Sequence, residues 1–144
     1  MEYLALDRGS DYAKWAEVEI LLRQGMTAEA RQKADQTISP LLRACLQERP
    51  ASEIEALSQN ALMHPSSEDP ETLFVAAERQ AFCGRHQEAL ALLWKAVEGD
   101  YCSYPVMDFD PLLVSLRHTV EFQLIRSAAI DCQKRFLAFR EEHP

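Results

Sequence analysis

Apolar residues along this chain recur at the three- and four-residue steps that turn one face of an α-helix toward a core, and sustained two-residue alternation is absent. Trp15, Val18, Leu21 and Leu22 form such a face, preceded by Ser10 and Asp11 as caps and followed by Gly25 as a stop. Thr27 then caps a second helix with Ala30, Ala34 and Ile38 inward, ending or kinking near Pro40. From Pro40 to Pro65 the pattern is less regular. It predicts short helices around Leu41–Leu46 and Ser52–Leu62, with Ile54, Leu57 and Leu62 as apolar contacts. The stretch from His64 to Pro70 reads as a loop that closes on a helix start, with Asp69 as cap and Pro70 at the first helical position, where an N–H would be unpaired anyway.

The next helix places Leu73, Phe74, Ala77 and Ala81 inward and stops at Gly84. Its partner runs from about His86 to Glu98 on Leu90, Leu93, Trp94 and Val97; Ala89 and Ala96 allow a neighbour to approach closely, and Gly99 is read as its end. Asp110 and Pro111 open a short helix whose Leu112, Leu113 and Leu116 can plug the end of a stack. Thr119 begins a last, long helix. Its Phe122, Ile125, Ala129, Cys132, Phe136 and Phe139 alternate steps of three and four, a heptad stripe, while Arg117, Arg126, Lys134, Arg135 and Arg140 lie mostly off it.

Two segments repeat one another. Gly25-Met-Thr-Ala-Glu-Ala-Arg31 and Gly84-Arg-His-Gln-Glu-Ala-Leu90 share Gly, Glu and Ala at equal offsets, and each lies between two amphipathic helices. A glycine that reverses the chain, then a small alanine at the helix contact, is what a tight helical hairpin needs. The expected fold is all-α, one domain of about six to eight helices, built as an α-solenoid of stacked antiparallel hairpins with a long C-terminal capping helix. Residues 11–38 form hairpin one, 40–65 an irregular helical insert, 70–99 hairpin two and 108–142 the cap.

Ala77, Gly84, Ala89, Leu90, Ala96 and Val97 resemble the small and apolar consensus positions of tetratricopeptide repeats. The likeness is good over Glu71–Asp100 and looser over Asp11–Ile38, where Glu17 stands at a position the family keeps apolar; Tyr101 replaces its terminal proline. Asp100-Tyr-Cys-Ser-Tyr-Pro105, with Asp108-Phe-Asp-Pro-Leu-Leu113, Leu116-Arg117 and Glu121-Phe122, is similar to the closing segment of repeat arrays in bacterial signalling proteins. Such arrays often follow a serine/threonine kinase or a winged-helix DNA-binding domain. The resemblance implies that the first helices of each pair line a partner-binding face: Trp15, Glu19, Leu22 and Arg23 in one unit, Phe74, Glu78, Ala81 and Phe82 in the other. Trp94, on a second helix, is expected in the packing.

The 144 residues are 47% apolar and 26% charged, the make-up of an ordinary globular chain that can bury about two-thirds of its unfolded surface. A net charge of −8 disfavours nucleic acid and anionic membrane as partners of this domain, because both are gripped by basic faces. Met1–Asp11 does not read as a signal peptide and no run is long enough to span a membrane, so the cytoplasm is the expected compartment. Cys45, Cys83, Cys102 and Cys132 lie far apart with no CxxC pair and are expected as free, mostly buried thiols.

Catalytic signatures are missing: no GxSxG, SxxK or HExxH, and no glycine-rich phosphate loop. Cys83-Gly-Arg-His86 is half a zinc site without a second half, and His64, His118 and His143 fall in turns or at the end. The acidic pairs Glu17/Glu19, Glu53/Glu55 and Glu141/Glu142 are expected on solvent faces. The chain therefore reads as a non-enzyme with no metal or cofactor. It is expected to act as a protein–protein interaction or regulatory module whose partner is a protein, a peptide or a neighbouring domain. The alternative is a ligand-sensing or dimerisation domain that controls an attached kinase or DNA-binding domain, with Phe136 and Phe139 as the candidate homodimer contact.

Overall fold

The computed structural model describes residues 10–144, which contain helices and no strand. The expectation about a leader at Met1–Asp11 concerns residues that lie almost wholly outside the described ones. Helix α1 spans Asp11–Arg23, α2 Thr27–Gln32 with a 3₁₀ turn at Ala34–Gln36, α3 Pro40–Leu46 and α4 Ala51–Met63. Helix α5 spans Pro70–Phe82, α6 His86–Glu98 and α7 Val106–Phe109, followed by a 3₁₀ turn at Pro111–Leu116 and α8 at Val120–Glu142.

The starts follow the caps in the sequence. Ser10, Ser39, Asp69, Asp110 and Thr119 each accept a backbone N–H from the first turn they precede, and Pro40, Pro70 and Pro111 stand at first helical positions. Pro40 therefore opens α3, and does not end the second helix, which is already over at Gln32. Ile38, expected inward, lies in the exposed link between them. Thr27 is the first residue of α2, and its side chain caps nothing.

Gly25 and Gly84 both adopt the left-handed conformation, φ +74°, that a side chain would strain. Each ends its helix in the same two-bond turn: Met26 N–H to Leu21 C=O and Arg85 N–H to Gln80 C=O, both 2.9 Å, with the glycine N–H bonded to Leu22 or Ala81 inside. Glu48 and Asp100 make the same turn after α3 and α6 without being glycine. The residue that reverses the chain after α6 is thus Asp100, one beyond Gly99. Gly99 serves a different need: a Cβ there would lie 2.6 Å from Pro70 Cγ, so its bare backbone lets the start of α5 lie against the end of α6.

Two apolar clusters form. The larger joins α5, α6, the closing segment and the first half of α8, with Leu92, Leu93, Met107, Leu113, Phe122 and Ile125 at its centre. The smaller joins α1, α2, its 3₁₀ turn and α3 through Val18, Leu22, Ala30, Ala34, Leu42 and Leu46. The 3₁₀ turn Pro111–Leu116 divides its leucines between them: Leu112 enters the smaller cluster, Leu113 and Leu116 the larger. The closing segment is held from outside by Arg126, which grips Asp108 with two bonds of 2.7 and 2.9 Å and keeps that carboxyl below its usual range.

The insert is part of the body. Ser58 of α4 donates to Gln80 Oε1 at 2.6 Å, Gln80 returns a bond to the Ser58 carbonyl, and Arg85 reaches Ser58 and Glu88. The cysteines depart from expectation: Cys45 pairs with Cys83, with Cα atoms 5.6 Å apart, and Cys102 with Cys132 at 5.3 Å. Residues 38 and 30 apart in sequence meet because α3 lies along the end of α5 and the 100–105 segment crosses α8. Spacing along the chain carries no trace of either meeting.

Candidate functional site

Helices α1 and α5 face each other across charge. Glu19 and Arg23 stand one turn apart on α1; Glu78 and Arg79 are adjacent on α5. The pairs cross: Arg79 Nε donates to Glu19 Oε1 at 2.8 Å, and Arg23 Nη2 donates to Glu78 Oε2 at 2.6 Å. A second Arg23 nitrogen lies 3.6 Å from Glu19, and the Arg79 guanidinium sits 5.5 Å from the centre of the Trp15 ring. Both glutamates are buried, a position that carboxylates tolerate only when paired.

Asp110 approaches Glu78 from the closing turn. One of its oxygens accepts the Leu112 N–H at 2.9 Å. Burial first, and the neighbouring Asp110 carboxyl second, push Glu78 up to about 8 against the pull of Arg23. Burial alone would lower Arg23, but the charges of Glu78 and Glu19 overcome it and raise the guanidinium further. Tyr101 is raised by burial and by the carboxyls of Glu71, Glu78 and Asp110.

This cluster borders a cleft of about 450 Å³ with Phe74, Val75, Tyr101 and Phe109 on its walls and Arg23, Glu78 and Asp110 among its polar groups. Phe109 stands at the rim, 77% exposed. A second cavity, about 210 Å³, opens between α3, α4 and α5 beside His64. Its strongest polar groups are already engaged, Arg79 by Glu19 and Gln80 by Ser58.

Of the eight residues expected on a partner face, three are charged: Arg23 meets Glu78 directly, and Glu19 meets Arg79. Arg79 itself was not among the expected residues. Leu22 is buried in the smaller cluster, Phe74 and Ala81 in the larger, and Phe82 packs half-buried against the smaller. Trp15 is half-buried under Arg79. The buried members hold helices together in this packing, and only the edges of the set reach solvent. Asp110, Tyr101 and Phe109 complete the cleft and went unseen, because Asp110 reads as a cap and the other two as parts of a loop. The one signal in the sequence was Asp110 beside Pro111, which announces a helix start and says nothing of what the second carboxyl oxygen meets.

The last helix carries a different feature. Phe122, Ile125, Ala129 and Cys132 are buried, but Phe136, Leu137 and Phe139 are 55%, 47% and 58% exposed. The stripe continues in register past the end of the body that covers its first half. Arg135, Arg140, Glu141 and Glu142 flank it.

No protein-family model, curated protein or solved structure matches the chain. Among the described residues, no cluster of three or more histidine, cysteine or acidic side chains is placed to hold a metal ion, and no helix is long and apolar enough to cross a membrane.

Proposed function

We propose that the chain is a non-catalytic protein–protein interaction module, a tetratricopeptide-like stack of helical hairpins that offers the distal half of α8 to another protein. The exposed run Phe136, Leu137 and Phe139 carries this reading. Three large apolar side chains on one projecting helix, rimmed by both signs of charge, suit a helical or grooved protein surface and have no use in an isolated body. The identical turns at Gly25 and Gly84, with a further helix pair between them, support the stacked arrangement. An accessory role beside a bacterial kinase or winged-helix regulator follows from the resemblance of the closing segment. The two cysteine pairs weigh against the cytoplasm and toward a compartment where cystines persist.

Self-association is the second reading, favoured because the stripe keeps heptad spacing through Cys132, Phe136 and Phe139. Antiparallel pairing of two copies would bring Arg135 and Arg140 toward Glu141 and Glu142. Site-specific photocross-linking from Phe136→p-benzoylphenylalanine in the producing cell tests both. A covalent adduct with a defined polypeptide is expected, absent when the same group replaces Gln123; an adduct of twice the chain mass, lost when Phe139→Glu is added, identifies the second copy. A chain that sediments as a monomer at every concentration and yields no adduct contradicts both readings.

A further inference from the structure

The cleft beside Glu78 is a built recess: aromatic walls from three separate elements, α5, the 101–105 segment and α7, close on a buried pair of carboxyls. Its charges are unequal. Glu71, Glu78 and Asp110 line it against Arg23 alone of the bases, and Arg23 is already held by Glu78 at 2.6 Å and Glu19 at 3.6 Å. Arg23 is partly exposed, but an anion that reaches it meets the two glutamates already beside it. A cation meets the opposite situation, with the carboxyls of Glu78 and Asp110 beside aromatic side chains at Phe74, Tyr101 and Phe109 that favour positive charge.

We propose that this cleft receives a basic side chain, lysine or arginine, presented by a partner protein. The cationic head settles against the carboxyls of Glu78 and Asp110, and the methylene stem lies along Phe74, Tyr101 and Phe109. The volume of about 450 Å³ accommodates either side chain with part of its backbone. The net charge of −8 draws a basic segment toward the surface before it docks. The inference rests on the interaction reading but uses a different surface from α8, so either can fail alone.

The test titrates the full chain with the peptides acetyl-Gly-Lys-Gly-amide and acetyl-Gly-Arg-Gly-amide while following amide and aromatic proton shifts. The controls replace the basic residue by norleucine or by glutamate. Saturable shifts at Tyr101, Phe109 and Glu78 are expected from at least one basic peptide at millimolar concentration and from neither control. Glu78→Gln, which keeps the shape and an acceptor for Arg23, should weaken binding about tenfold. Phe109→Ala removes only an exposed rim side chain, so it keeps the fold, and should weaken binding about threefold. Equal binding of norleucine would make the cleft a plain apolar recess, and stronger binding of glutamate would make it an Arg23 anion site; each overturns the proposal. So does silence from both basic peptides at millimolar concentration. Loss of α8 cross-links with basic-peptide binding intact, or the reverse, tells the two surfaces apart.

Discussion

The body has two cores held by different means. Around α5, α6 and the first half of α8, large apolar side chains reach full burial and interlock, each contributing about 1.5–3 kcal/mol. Around α1, α2 and α3 the buried set is smaller and, among the described residues, encloses no aromatic ring: Val18, Leu22, Leu42 and Leu46 are its largest members, where the other core has Phe74 and Phe122. The smaller core compensates at its border. Two crossed hydrogen bonds from guanidinium to carboxyl join α1 to α5, and a cystine joins α3 to the end of α5. Where apolar area runs short, these bonds and a covalent link hold the halves in register, and the charged border is also where the cleft opens.

This contrast can be broken at several points. The largest effect is expected from Phe122→Ala, which empties the middle of the larger core and should cost about 3–5 kcal/mol in urea denaturation. All spectroscopic probes should lose stability together, since Leu113 and Leu116 of the closing turn lean on the same core. Opening the cystine by Cys45→Ser with Cys83→Ser should cost about 2–4 kcal/mol. Its signature is regional: hydrogen exchange should quicken through α1–α3 while the amides of α6 stay protected. Uniform loss across both cores would show that the halves do not differ as argued.

The smallest effect is a slope. Glu78 is raised from 4.5 to about 8, so between those values the folded chain holds a proton that the unfolded chain has released. Its contribution is complete below about pH 4.5 and declines as the pH rises through about 8, on the order of 1 kcal/mol per pH unit while it lasts. Melting temperatures should therefore fall from pH 5 to pH 8 more steeply in the parent chain than in Glu78→Gln. Parallel curves would show that Glu78 is not raised and stands ionised against Arg23.

Much of the helical framework was readable in advance. Caps and prolines located the starts of α1, α5 and α8, while Pro40, read as a stop, opens α3; the three-four spacing picked out the buried faces of α5 and α6. Ile38 misled because it continues a helical spacing beyond the point where the 3₁₀ turn ends the helix. Gly99 marks the end of α6 as read, but glycine serves both left-handed turns and close approach, and here Asp100 makes the turn while Gly99 makes room for Pro70. The candidate site was legible only in part. Glu19, Arg23 and Glu78 were named, but as an outward face, since a helix with charges beside leucines reads the same whether it borders water or another charged helix.

Local chemistry therefore determined where helices begin, which sides they bury and that the stripe of α8 runs on to Phe139. These depend on neighbours within a turn or two, whose identities the chain spells out directly. Tertiary packing alone decided that Cys45 finds Cys83, that Leu112 parts from Leu113 to serve another core, and that Asp110 comes to share a cleft with Glu78. Such meetings join residues tens of positions apart. Their energies depend on distances of a few ångströms that no periodicity along the chain records.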